Sequence, residues 1–245
     1  MLMNPTVTAM ESIGLSYMAT AYQEQMEMPS VGDLSFDERL GLLLDREVSG
    51  RANRRLELQL RKARLREQAT IEDLDFHAKR NLDKSLILSL VSAQWVDSHQ
   101  NIIIVGPTGV GKTYLACALA HAAIRHGHSA LYTKESRLLA DLALGKADGR
   151  FPRLLSALAK VHVLILDDRA LIPLTQSHAH DLFNLIDDRA GLRSTILTSQ
   201  IPVEQWHESI PDPTIADAIL DRLVHNAHRI TLSGDSMRKT KGTKQ

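Results

Sequence analysis

The chain has 245 residues, 44% of them apolar, which is enough for an α/β domain of ordinary size plus a smaller helical one and too many for a disordered chain. Formal net charge is zero, so total charge neither favours nor excludes a polyanionic partner, and the single cysteine, Cys117, excludes an internal disulfide and a multi-cysteine zinc site. The first 30 residues hold no apolar leader core and no Lys or Arg, and no run of about 18 apolar residues occurs, so a cytoplasmic protein without a membrane span is expected.

Residues 1–69 read as an all-helical N-terminal domain. Val7, Met10, Ile13, Leu15, Met18 and Tyr22 recur at a roughly helical period, predicting a helix over Val7–Gln25. Pro29–Ser35 is a turn-rich break. Ser35 followed by Glu38 is a capping-box pattern that starts a second helix, expected to run to about Glu67, with Gly50 a possible point of division. Phe36, Leu40, Leu44 and Val48, spaced by four, are expected to face a small core.

Further along the same helix the character changes. From Arg39 to Arg66 there are nine basic residues and three acids, a local balance of 9 − 3 = +6. At 100° per residue, Arg51, Arg54, Arg55, Arg61, Lys62 and Arg66 fall within an arc of about 140°. Glu47 and Glu57 can pair at i,i+4 with Arg51 and Arg61. Arginine is the better phosphate binder, so this cationic face is a candidate DNA surface.

From Thr70 onward the pattern is α/β. Short apolar runs at Ile102–Val105, Ala130–Thr133, Val161–Leu166, Thr195–Thr198 and Arg229–Leu232 read as five buried strands alternating with helices, hence a parallel sheet. Gly127 ends a helix over Tyr114–His126, Thr175 caps a helix to Ala190, and Asp212-Pro213 begins another. Cys117, in an apolar run, is expected to be buried. Lys146, Arg150 and Arg153 form a weaker DNA candidate in a predicted loop. The tail from about Met237 is basic and polar and is expected to be disordered.

Gly106-Pro107-Thr108-Gly109-Val110-Gly111-Lys112-Thr113 matches the phosphate-loop pattern in full, with a strand entering and a helix leaving. Glycines let backbone amides curl around phosphates, and the helix N-terminus adds its positive dipole end. Lys112 is expected to reach the β- and γ-phosphates of ATP, and Thr113 to ligate Mg2+. The paired acids that end the Val163–Leu166 run supply the second half: Asp167 for magnesium, Asp168 to orient or deprotonate the attacking water. Gln200, or else Ser199, is the expected polar group between γ-phosphate and water.

The chain resembles the IstB-type transposition helper ATPases, an AAA+ branch close to the DnaC-type helicase loaders. The resemblance is carried by Leu34–Leu40 and the Arg-rich helix after it, by Gly106–Thr113, by Leu164–Asp168 with Leu171–Leu174, and by Ser194–Pro202, Asp212–His225 and Gly234–Arg238. It implies an AAA+ P-loop core with a five-stranded parallel sheet, preceded by the helical domain. It also implies ATP-dependent homo-oligomers that bind and deform double-stranded DNA and help the transposase of the same insertion sequence select its target. By position, Arg222 matches the arginine finger that completes a neighbour's ATP site, and Arg238 a second sensor. Asp168 stands where most AAA+ proteins carry Glu, which leaves slow, DNA-stimulated hydrolysis or a role for ATP mainly in assembly. Arg169 departs from the family pattern, which has an apolar or aromatic residue after the paired acids. A helicase loader and a non-hydrolysing ATP-dependent DNA-binding module are the alternative readings.

Overall fold

The computed structural model describes residues 4–28, 33–78 and 80–237, and the chain divides into two compact units, Met1–Leu58 and Gln59–Gln245. The sequence reading places this boundary after Ala69, whereas the division falls inside a helix.

The first unit contains α1 (Pro5–Ser12), α2 (Ser16–Glu27) and most of α3 (Phe36–Ala63). Asn4 caps α1 through its side chain, with Pro5 at the first helical position. The single helix expected over Val7–Gln25 is two helices, because Gly14 adopts φ +79° between them. Ser35 and Glu38 form the expected reciprocal cap: Glu38 accepts from the Ser35 amide at 2.8 Å, and the Glu38 amide donates to Ser35 Oγ at 3.3 Å.

Met18, Ala21 and Leu43 form the core of this unit, with Leu40 packed against them. Phe36, Leu44 and Val48 are exposed, a correction to the spacing-by-four reading. A step of four overshoots one turn by about 40°, so the inward line on α3 steps by three and four instead, through Leu40, Leu43 and Glu47. Buried Glu47 accepts from the Met18 amide at 2.8 Å and from Arg51 Nε at 2.6 Å, and Arg51 also donates to the Gly14 carbonyl. Gly50 does not divide α3; its missing side chain makes room for the Tyr17 ring, which an added Cβ would overlap.

The second unit holds α4 (Lys84–Val91), α5 (Gln94–Asp97), β1 (Asn101–Val105), α6 (Lys112–Arg125), β2 (Ala130–Lys134), α7 (Glu135–Ala147), α8 (Phe151–Lys160), β3 (Val163–Arg169), α9 (Gln176–Arg189), β4 (Ser194–Ser199), α10 (Pro213–Val224) and β5 (Ala227–Thr231). The five strands form one parallel sheet in the order β2-β3-β4-β1-β5. Ile103, Leu164, Leu166 and Leu197 join the core under α7, α9 and α10, while Ile102, Ile104, Ile165 and Ile196 alternate with them and are equally buried. A sheet buried on both faces explains why its strands read as continuous apolar runs. β1, β2, β4, α6, α9 and α10 lie where the sequence places them, whereas β3 begins later than expected and runs on through the paired acids to Arg169, and β5 begins earlier, at Ala227. Lys146 and Arg150 lie not in one loop but at the end of α7 and just before α8; Lys146 pairs with Asp181 and Arg150 with Asp148.

Parallel connection puts the carboxyl ends of all five strands on one edge, where open α/β sheets bind ligands. The phosphate-loop sequence leaves β1, the paired acids end β3, and Gln200 follows β4.

Candidate nucleotide site

Three features make the Gly106–Thr113 turn a cradle. Gly109 and Gly111 adopt φ +87° and +98°, a region closed to most side chains. Gly111 is the N-cap of α6 and brings no side chain of its own to the amides of the first turn. A cavity of about 560 Å3 opens there, lined by Thr108, Gly109, Gly111, Lys112 and Thr113 together with Asp168 and Gln200. These are the groups a triphosphate requires. Lys112 is nearly buried and its ammonium donates to the carbonyls of Gly106 and Pro107 at 2.7 and 2.9 Å. Val110 is fully buried beneath the turn.

The two halves of the expected magnesium site are in direct contact. Thr113 Oγ1 lies 2.9 Å from Asp167 Oδ1. Asp167 is fully buried, and the hydroxyls of Tyr132 and Thr198 also donate to it. Three hydroxyl donors satisfy this buried carboxylate and fix its orientation. Burial, and then the hydrogen bond to Asp167, keep the Tyr132 phenol above its ordinary range, so it remains a donor.

Asp168 adopts φ +60° and its amide is bonded to Thr198 Oγ1 at 3.1 Å. One carboxylate oxygen of Asp168 lies 2.8 Å from the Lys134 ammonium. Gln200 Oε1 accepts from Thr108 Oγ1 at 2.7 Å, placing the amide against the phosphate loop. Ser199 is buried and faces elsewhere: its hydroxyl donates to the Arg169 carbonyl and receives Trp206 Nε1.

Arg169 explains the departure from the family pattern. A register shift between β3 and β4 at Leu166 and Arg169 accompanies positive φ at Asp168 and Ala170, and it turns Arg169 fully inward. The Arg169 guanidinium pairs with buried Glu135 at 3.0 Å and lies 5.6 Å from the centre of the Trp206 ring.

Arg222 does not line this cavity. It bonds Asp187 at 2.7 Å and lies over Phe183 at 5.1 Å. Arg238 lies outside the described residues. Arg54, Arg55, Arg61 and Lys62 are exposed on α3. Arg66 is not on that helix, a correction to its expected length. Arg64 adopts φ +51° and ends α3 at Ala63, and Arg66 turns into the cavity with its guanidinium 3.8 Å from Asp167.

Tyr132, Lys134, Thr198 and Arg66 are the groups that sequence reasoning does not assign to this site. Tyr132 and Lys134 had one available signal, an i,i+2 spacing on a strand that ends beside the acids.

The family model for IstB-like ATP binding proteins matches residues 8–245. A protein of Sinorhizobium fredii (strain NBRC 101917 / NGR234), named for ATP binding and an insertion sequence, is 51% identical over 244 residues and covers 100% of both chains. A Pseudomonas aeruginosa protein named for ATP binding and the insertion sequence IS21 is 34% identical over 224 residues, 91% of this chain and 84% of that one. Among solved structures, DnaI aligns with TM-score 0.58 and 22% identity, over 67% of this chain and 91% of that one. DnaA bound to AMPPCP and single-stranded DNA aligns with TM-score 0.57 and 18% identity, over 74% and 56%. Identities this low speak only to the fold, which is that of the AAA+ P-loop ATPases. The phosphate loop, the acid behind it and the near full-length match agree: the chain belongs to the family of IstB-like ATP binding proteins.

Proposed function

We propose that this chain is an ATP-hydrolysing, magnesium-dependent oligomer that binds and remodels double-stranded DNA and assists an insertion-sequence transposase in choosing its target. The observation that carries the reading is the contact between Thr113 and Asp167 at the N-terminal turn of α6, directly after the phosphate loop, in a chain whose relatives are named for insertion sequences. In this reading Lys112 and the loop amides hold the β- and γ-phosphates, while Thr113 and Asp167 hold the magnesium, which neutralises phosphate charge. Asp168 receives the proton of the attacking water and Gln200 orients it.

Arg222 serves the site of a neighbouring subunit. Its absence from the lining of its own chain's cavity supports that assignment. Residues 1–69 engage DNA and the transposase. Exposed Arg54 and Arg55, with Arg61 and Lys62 further along α3, contact phosphates without reading sequence, so binding is nonspecific and falls with salt. Electron microscopy of the protein on duplex DNA, with and without ATP, tests the whole. Expected are ATP-dependent assemblies that Lys112→Ala abolishes; single particles under all conditions would refute the reading. Phosphate release lost in Asp168→Asn and Arg222→Ala supports an enzyme. No turnover with or without DNA would leave ATP as a structural ligand of a DNA-binding module. Charge reversal at Arg54 and Arg55 is expected to weaken DNA binding and leave nucleotide binding intact.

A further inference from the structure

The segment that follows α3 brings a cation to the nucleotide cavity that belongs to neither sequence motif. Arg66 lies three residues beyond the end of α3, and its guanidinium is 3.8 Å from Asp167 Oδ2. Asp167 already accepts from Thr113, Tyr132 and Thr198, so the guanidinium adds a loose ion pair to a satisfied carboxylate. Its planar fork of donors is better suited to a phosphate than to one more carboxylate contact.

Its location says which phosphate. Arg66 lines the same cavity as Lys112, Thr113, Asp168 and Gln200, and it faces Asp167 Oδ2, the oxygen that accepts from Tyr132 and lies 3.2 Å from Thr113 Oγ1. That is where the terminal phosphate of a triphosphate lies when Lys112 and Thr113 hold the β–γ end. The backbone behind it is anchored: Ala63 and Ala69 are buried on either side, and the backbone at Arg66 and Glu67 lies against buried Cys117. A fixed backbone with a partly exposed side chain can aim donors at a ligand with little ordering cost.

We propose that Arg66 reads the γ-phosphate from within its own chain and makes the site prefer a nucleoside triphosphate over a diphosphate. The assignment rests on the nucleotide reading above and deepens it.

The test is equilibrium binding of a fluorescent ADP and a fluorescent non-hydrolysable ATP analogue, each with Mg2+, to wild type, Arg66→Ala and Arg66→Lys. A charge-assisted bond to one phosphate group is worth roughly tenfold to a hundredfold in affinity. Arg66→Ala is expected to lose about that factor for the triphosphate while ADP affinity stays within about twofold, and Arg66→Lys is expected to recover part of it. Equal losses for both nucleotides, or no loss for either, would overturn the proposal. Thermal melts of the two variants matching wild type show that the fold is intact; a Lys variant that folds but discriminates no better than Ala also counts against it. Wild type binding neither nucleotide is a separate outcome, which removes the nucleotide reading and this one with it.

Discussion

Lys134 and Asp168 form an ion pair of 2.8 Å at the carboxyl edge of the sheet, on adjacent strands β2 and β3. The pair occupies one oxygen of the carboxylate that is proposed to receive a proton from water. Lys134→Ala is therefore expected to raise DNA-independent phosphate release, by on the order of tenfold. A fall instead would assign the ammonium to the phosphates. Single-turnover assays with and without duplex DNA distinguish the two.

Behind the acids, Glu135 and Arg169 are both almost fully buried and pair at 3.0 Å. Burial raises the Glu135 carboxyl above its ordinary value, against the pull of Arg169. Removing one partner strands a buried charge, so Glu135→Ala is expected to cost about 3–5 kcal/mol in urea unfolding. The double change Glu135→Leu with Arg169→Met is expected to be less damaging than Glu135→Ala alone, because no charge is left behind. Additive losses would deny the coupling.

Two glycines of α3 are expected to respond with opposite signs. At Gly41 an added Cβ meets nothing within 4 Å, so Gly41→Ala should stabilise by about 1 kcal/mol through helix propensity. At Gly50 the Tyr17 ring fills the space, so the same gain is outweighed by an overpacking cost of about 1–3 kcal/mol. Thermal melts of the two variants are expected to move in opposite directions.

Cys117 is fully buried, and burial pushes its thiol up to about 11 from an ordinary 9.0. The thiolate fraction near pH 8 is then about a hundredfold below that of an ordinary cysteine, because the charged form is the one that burial penalises. Reaction with a disulfide reagent is expected to be slower by at least that factor in the native protein than in urea, and to accelerate as pH rises toward 11. Since this is the single cysteine in the chain, the label reports one site.

The five strands, the phosphate-loop pattern, the pair of acids after Leu166 and the caps at Ser35, Thr175 and Asp212 were legible in the sequence. Each rests on a pattern confined to a few neighbouring residues: an apolar run, a glycine spacing, a side chain that bonds an amide two or three positions on. The partners of the acids were decided elsewhere. Lys134 stands opposite Asp167 only because β2 and β3 pair in that register, across about thirty residues of chain. Arg66 leaves the cationic face of α3 because one residue, Arg64, takes a left-handed conformation that nothing in its identity demands. Glu135 reaches Arg169 only because a register shift turns β3 inward. Local chemistry specifies elements; which distant side chains meet depends on how packing sets their register, and that energy is shared among many contacts rather than written at any one position.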